Sequence, residues 1–412
     1  MELYPRYLQS RVSEALKDTP VVCLLGPRQV GKSTLCQRLD SKRSYFTFDD
    51  HTTLLAAQQD PTGFMQSLPE RVTLDEVQRV PELLLAIKAE VDRNRKPGRF
   101  LLTGSANLLL LPQVKESLAG RIEILQLQPL TEAEKEGIKP EFLSLLLNQE
   151  FKPLMKSAQS ELSDVADRIC VGGYPEPNAR TPQRARQWFQ QYLGTIIQHD
   201  VKDIANIRDE DELQRLAELL ALRSGNLLNV NSIANEMQMR RETADKYISI
   251  LESLFLLYRL PPWHNNQAKR LIKTPKIHWS DSGLLASLNN LKASDWHNFS
   301  TNFGPVLESF VIQQIRAQAS WLDEPLRFSH YRDKDQVEVD LVIEQGRNVW
   351  GIEVKKAASI QAKDGEGLNR LANQAGKNFK GGVLIYCGNN AVALLPPNCI
   401  AVPINWLWHN ND

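Results

Sequence analysis

Gly26-Pro27-Arg28-Gln29-Val30-Gly31-Lys32-Ser33 follows directly on the apolar run Val21-Val22-Cys23-Leu24-Leu25 and leads into the helix-like Thr34-Leu35-Cys36-Gln37-Arg38-Leu39. A buried strand, a glycine-containing turn and a helix, in that order, aim backbone N–H groups at an anion held at the helix N-terminus. Gly26 and Gly31 let the backbone curl close to phosphate oxygens, and the amides from Gln29 and Val30 through Thr34 line the cradle. Lys32 reaches the β- and γ-phosphates, and the Ser33 hydroxyl joins the shell of a Mg²⁺ ion. A match this short arises by chance; the flanking strand and helix make it specific. Together they imply binding of a nucleoside triphosphate.

Such a loop predicts a second, acidic strand, and Arg71-Val72-Thr73-Leu74-Asp75-Glu76-Val77-Gln78 supplies one. Asp75 is expected to hold the Mg²⁺ directly or through water, and Glu76 to polarise the attacking water as general base. Alone, an Asp-Glu pair at a strand end is a weak signal, often a solvated turn. Behind a phosphate loop it gains meaning. Next comes Arg99-Phe100-Leu101-Leu102-Thr103-Gly104-Ser105-Ala106-Asn107, a short apolar strand ending in small polar residues that can sense a γ-phosphate and hold the lytic water.

These residues resemble the AAA+ ATPases. The nearest likeness is to a widespread prokaryotic group of predicted ATPases that open with a Gly-Pro-Arg-Gln-Val-Gly-Lys loop and carry a C-terminal domain of unknown function. The resemblance rests on the loop, Leu74-Asp75-Glu76-Val77-Gln78, Leu102-Thr103-Gly104-Ser105, Leu118-Ala119-Gly120-Arg121, Gly172-Gly173-Tyr174-Pro175 and Glu338-Val339-Asp340-Leu341-Val342. It implies ATP and Mg²⁺ as cofactors, with Ser105 or Asn107 similar to the first sensor. Arg121 resembles an arginine finger, the cation that stabilises charge on a transferring phosphoryl group, or is a solvated loop arginine. A finger that works across subunits would imply a homo-oligomer. No arginine further along matches the second sensor of AAA+ lids.

At 412 residues the chain suits two or three domains. Its 42% hydrophobic and 24% charged residues exclude a disordered chain. Formal net charge is zero, so any nucleic-acid contact must come from a local patch. No apolar stretch nears the roughly 20 residues of a membrane span, and Met1-Glu2-Leu3-Tyr4-Pro5-Arg6 lacks a signal-peptide hydrophobic region. The scattered Cys23, Cys36, Cys170, Cys387 and Cys399 read as reduced core residues of a cytoplasmic protein without a zinc site.

Alternating short strands and amphipathic helices up to residue 130 predict an α/β sheet with the loop at the C-terminal end of its first strand. Thr131-Glu132-Ala133-Glu134 opens a helical lid or extension over 131–226. Over 227–295, a short helix near Val230–Met237, a turn at Gln238–Arg240, a longer helix from Glu242 and a basic hairpin-like segment resemble a winged helix-turn-helix. Arg240, Arg241, Lys246, Lys269, Arg270, Lys273 and Lys276 make this the densest basic stretch. It either contacts nucleic acid, DNA in preference to RNA, or packs between domains with its charges solvated.

The segment 296–412 carries a second constellation. After an amphipathic helix around Leu307–Ile315, two alternating strands, Val337–Ile343 and Val349–Lys355, form a hairpin. Residues two apart on a strand share a face, so Glu353 and Lys355 project together and Asp340 reaches them from the neighbouring strand. Two carboxylates and a lysine form a divalent-cation site in which Lys355 positions or deprotonates water beside a phosphodiester. This spacing resembles the restriction-endonuclease-like superfamily, and by that likeness Glu308 is the extra acidic ligand beside Asp340 and Glu353. Three readings stay open: metal-dependent cleavage, an exposed salt-bridged hairpin, and a fold kept for binding without cleavage. The expectation is an ATPase serving a nucleic-acid task, with no membrane partner.

Overall fold

The computed structural model describes residues 3–106, 120–152, 162–204, 207, 209–266, 270, 274–298, 301–394 and 398–409. Asn107, Leu118, Ala119, Lys269 and Lys273 lie outside the described residues.

Strands β1 (Val21–Leu25), β2 (Ser44–Thr47), β3 (Val72–Asp75), β4 (Phe100–Gly104) and β5 (Ile122–Gln126) form one sheet in the order β2-β3-β4-β1-β5. Every neighbouring pair is parallel. Parallel strands need helical crossovers that cover both faces, which is why β1 reads as an unbroken apolar run and β1, β3 and β4 are buried throughout. The alternation persists underneath. Val22 and Leu24 pack in one layer with Leu8, Val12 and Leu35; Val21, Cys23 and Leu25 pack in the other with Leu74 and Ile87. Because β3, β4 and β1 are adjacent and point the same way, their C-terminal ends bring residues 26–33, 75–76 and 103–105 to one edge. That edge of a parallel sheet is where ligands sit.

Helices Glu132–Glu136, Phe142–Asn148, Leu162–Val171, Pro182–Ile204 and Glu210–Leu222 follow. The first starts with the expected capping box, Thr131 Oγ1 accepting from Glu134 N at 3.0 Å and Glu134 Oε2 accepting from Thr131 N at 3.1 Å. Helices Val230–Glu236 and Arg241–Ser253 then lead into an antiparallel two-stranded ribbon, β6 (Leu257–Leu260) and β7 (Lys276–Trp279).

Past helix Phe303–Ala319, a six-stranded sheet runs in the order β12-β13-β11-β10-β9-β8, built from β8 (Arg327–Arg332), β9 (Glu338–Gln345), β10 (Asn348–Lys355), β11 (Phe379–Tyr386), β12 (Val392–Leu394) and β13 (Cys399–Pro403). The expected β9–β10 hairpin is antiparallel and pairs Ile352 with Leu341. Helix Glu366–Ala375 covers one face through Leu368 and Leu371, against Val339, Val342 and Val349. The other face shares one hydrophobic cluster with the helical region, running from Ala133 through Phe310 to Trp408. Residues on both sides of 226/227 and 295/296 contribute to this cluster, and Lys276 of β7 reaches carboxylates of β9.

Candidate functional site

The loop after β1 is held by its surroundings before any ligand is considered. A Cβ on Gly26 would lie 2.3 Å from the Leu127 carbonyl oxygen, so only glycine fits where the chain passes β5. Gln29 and Gly31 take positive φ, 61° and 100°, which turns successive N–H groups inward ahead of helix Lys32–Leu39. Arg6 braces the turn, donating to the Val30 carbonyl at 2.8 Å and to Glu134 Oε1 at 3.2 Å. From the other side Arg28 ion-pairs with Asp200 of helix Pro182–Ile204, and the Tyr192 hydroxyl of that helix donates to the Arg28 carbonyl at 2.9 Å.

Lys32 is buried, its Nζ donating to the Gly26 and Pro27 carbonyls at 3.0 and 2.9 Å. Burial pulls its ammonium below the usual lysine range, with Glu76, Asp75 and Asp200 opposing. Ser33 Oγ lies 3.2 and 3.3 Å from the two oxygens of Asp75, which also accept from Tyr45 and Thr47 and, at the buried end of β4, from Thr103. All four donors are neutral hydroxyls. No opposite charge lies within ion-pair distance of Lys32 or Asp75 among the described residues.

Glu76 takes the left-handed conformation, φ 58°, a strained choice for a non-glycine residue. Its N–H donates to Thr103 Oγ1 at 3.2 Å, while the Ser105 N–H (3.2 Å) and the Gln78 amide donate to its Oε2. These bonds hold the bend and aim the carboxylate across the strand ends. Burial alone would raise the Glu76 pKa; Lys32 and the hydrogen bonds from Gln78 and Ser105 outweigh it and hold the group below its ordinary value, ionised at neutral pH. Ser105 therefore acts on Glu76. A cavity of about 480 Å³ opens from this edge, with Gly31, Lys32, Ser33 and Thr34 on its floor and Pro175, Arg180 and Trp188 on the facing wall. Oxygen donors at Ser33 and Asp75 are the set a hard Mg²⁺ ion takes, so the residues present fit the implied ion.

Arg121 is elsewhere. It precedes β5, whose Ile122 pairs with Val21 at the start of β1, so it sits at the end of the sheet opposite its own loop, and it ion-pairs with Asp92. An action on this chain's own nucleotide is ruled out by that placement.

The C-terminal residues do converge. The Lys355 ammonium lies 3.0 Å from Glu353 Oε1, and the Asp340 carboxylate accepts from the Val354 N–H at 2.9 Å beside them. Glu308 approaches from helix Phe303–Ala319. The centre, however, is taken by Lys276 of β7: its Nζ lies 3.1 Å from Glu308 Oε1, 3.0 Å from Glu338 Oε2 and 3.7 Å from Asp340 Oδ1. Arg332 adds a second cation on Glu338 at 2.9 Å. Burial, then the nearby Asp340 charge, pushes Glu308 up to about 8 despite Lys276, and raises Glu353 well above the carboxylate range. Glu353 Oε2 is buried without a hydrogen-bond partner among the described residues. The expected metal set of Glu308, Asp340 and Glu353 is thus not open as expected: Glu308 Oε1 and Asp340 Oδ1, which an ion would draw to roughly 2.0–2.2 Å, already face the Lys276 ammonium, and Glu353 Oε1 faces Lys355.

Within the basic stretch Lys276 is neither solvated nor open to nucleic acid: it is 3% exposed, and Arg270 is likewise committed to a two-point pair with Glu344 at 2.7 and 3.0 Å. Arg240, Arg241 and Lys246 remain exposed at the start of helix Arg241–Ser253. The roles of Lys276, Glu338, Arg6, Arg28 and Asp200 escaped the sequence reading. One signal was available for Lys276: in Lys276-Ile277-His278-Trp279 it opens an otherwise apolar and aromatic strand, where a lysine needs buried partners.

Family comparison agrees with the N-terminal description. Residues 18–135 match an AAA domain, residues 162–295 a domain of unknown function (DUF8612), and residues 303–407 a domain of unknown function (DUF4143). An uncharacterized protein of Mycobacterium tuberculosis is 29% identical over 353 residues, 85% of this chain and 73% of the relative. One of Haemophilus influenzae is 23% identical over 319 residues, 71% of this chain and 74% of the relative. Among solved structures, the Walker-type ATPase of Pyrococcus abyssi covers 70% of this chain and 99% of its own at 15% identity and TM-score 0.42. RuvB of Thermotoga maritima covers 61% and 87% at 22% identity and TM-score 0.30. Overlaps this loose define no residue correspondence. The N-terminal part of the chain is an AAA-like P-loop domain, and no helix among the described residues is long and apolar enough to cross a membrane.

Proposed function

We propose that the chain is an ATP hydrolase whose nucleotide state controls a nucleic-acid contact made by its helical region. The observation that carries the hydrolase reading is the meeting, at one sheet edge, of Lys32, Ser33, Asp75 and Glu76, none of whose charges is closed by an ion pair at contact distance among the described residues. On ATP binding the loop N–H groups take the phosphates and the Lys32 ammonium exchanges its carbonyl partners for β- and γ-oxygens. Ser33 and Asp75 would hold Mg²⁺, which supplies charge neutralisation on the transferring phosphoryl group. Glu76, held ionised by the Lys32 charge and by hydrogen bonds from Gln78 and Ser105, orients water in line and takes its proton. The loop is tied to helix Pro182–Ile204 through Arg28, Asp200 and Tyr192, which gives a change at the phosphates a route into the helical region.

The nucleic-acid part rests on two helices followed by a ribbon, with Arg240, Arg241 and Lys246 at the exposed start of the longer helix. The C-terminal sheet enters this reading as a non-cleaving domain. Two measurements test the proposal. Phosphate release from ATP should fall about 10²–10⁴-fold in Glu76→Gln with ATP binding retained. Duplex DNA binding should depend on nucleotide, weaken steeply with salt, and drop in Arg240→Ala/Arg241→Ala. Unchanged turnover in Glu76→Gln removes the catalytic assignment; binding that ignores nucleotide removes the coupling.

A further inference from the structure

Two carboxylates, a nearby lysine and a helix-borne glutamate on one face of a β-hairpin invite a divalent ion, and this fold withholds the space. Glu308, Glu338 and Asp340 reach inward from helix Phe303–Ala319 and β9. Lys276 enters from β7, a strand of the preceding region, and its ammonium contacts all three. Its backbone is fixed as well: Lys276 pairs with Leu260 in the ribbon and bridges to Leu227. The stem is 3% exposed, so the side chain does not swing into water. Other cations stand close by, Lys355 3.0 Å from Glu353 Oε1 and Arg332 2.9 Å from Glu338 Oε1, while Glu353 Oε2 alone stays buried without a partner among the described residues. Two imidazoles complete the surroundings: His278 Nε2 lies 3.6 Å from Glu308 Oε1, and His330 is buried nearby against the Thr274 carbonyl at 3.3 Å.

We propose that Lys276 is a resident counter-cation that takes the place of a metal in the carboxylate cluster, locking β7 onto the C-terminal sheet and making that domain metal-independent. An ammonium and a divalent ion compete for the same oxygens. Each carboxylate contact at about 3 Å that Lys276 keeps is one that Mg²⁺ or Mn²⁺ lacks. Lys276 comes from outside the segment 303–407, so neighbouring-region packing, not the C-terminal domain itself, decides what the cluster binds.

The test is Mn²⁺ binding to the full chain without nucleotide, read by electron paramagnetic resonance, in wild type, Asp340→Asn, Lys276→Met and Lys276→Met/Asp340→Asn. Subtracting each Asp340→Asn partner cancels ions held at Ser33 and Asp75. Wild type should show no Asp340-dependent Mn²⁺. Lys276→Met should gain one such ion at least about tenfold more tightly than wild type, a change of 1.4 kcal/mol, and lose it again in the double variant. If Lys276→Met does not fold, Lys276→Met/Glu338→Gln, which removes one charge of each sign and keeps Glu308, Asp340 and Glu353, carries the same expectation. An Asp340-dependent ion in wild type, Asp340-dependent cleavage of plasmid DNA by wild type in Mn²⁺, or a folded lysine variant that gains no ion would each overturn the proposal.

Discussion

The two ends of this molecule assemble nearly the same side chains and close them differently. At the N-terminal edge, Lys32 donates to two carbonyls and Asp75 accepts from hydroxyls, and among the described residues neither charge has a counterpart at contact distance. At the C-terminal cluster, Lys276, Lys355 and Arg332 each meet a carboxylate directly. The first arrangement is a charge pattern that a ligand completes. In the second, cations of the chain itself already stand at contact distance, with Glu353 Oε2 the one carboxylate oxygen of the cluster left buried and unpartnered among the described residues. Residue type does not separate a binding site from an internal ion cluster; the placement of the cations does, because a buried charge is stabilised either by the protein or by what it binds.

The comparison breaks first at Lys32. Lys32→Ala should lower ATP turnover by roughly 10⁴-fold, about 5.5 kcal/mol, and weaken nucleotide binding, whereas Glu76→Gln keeps its affinity. Equal loss of affinity in both, measured by calorimetry, would mean that the two residues do not divide binding and proton transfer. At the other end, Lys276→Met should leave hydrolysis near wild type but destabilise the fold by about 3 kcal/mol, since three partly buried carboxylates lose their shared cation. Urea denaturation checks this, and Lys276→Met/Glu338→Gln should recover part of the loss. A stability within error of wild type would place the cluster in solvent.

A pH series sharpens the same contrast. Burial, then the Lys276 ammonium, pulls His330 down to about 4 from an ordinary 6.5. A histidine with a depressed pKa is neutral in the fold while the unfolded chain takes up a proton, so the stability it contributes is present above pH 6.5 and lost as pH falls towards 4. As an isolated group the change is on the order of 3 kcal/mol. His330→Gln should flatten that part of the stability curve; an unaltered slope would show that the proton goes elsewhere. The smallest effect is expected at Arg121. In the dispersed chain Arg121→Ala should change turnover less than about twofold, the range of an ordinary surface substitution. A larger loss that Glu76→Gln protein restores on mixing would place Arg121 on a neighbouring chain.

Local chemistry made the first site legible. A strand, a glycine turn, a lysine and a hydroxyl are consecutive, and consecutive residues fix their own geometry through φ, ψ and the helix N-terminus. The capping box at Thr131 and the β9–β10 hairpin were readable for the same reason, being short-range patterns of period and spacing. Asp75 and Glu76 were readable as a pair; the left-handed bend that aims Glu76 was not, because Thr103 and Ser105 of another strand hold it.

What the sequence determined by itself was therefore the phosphate loop, the acidic strand beside it and the alternation that builds the parallel sheet. Tertiary structure alone decided which cation belongs to which anion. Arg28 finds Asp200, 172 residues away, and Lys276 finds Asp340 across a sheet, through packing that no local spacing encodes. Exposure was decided at the same level: a lysine in a basic run reads as solvated until the surrounding strands bury it, and burial turns a surface charge into a buried ion pair.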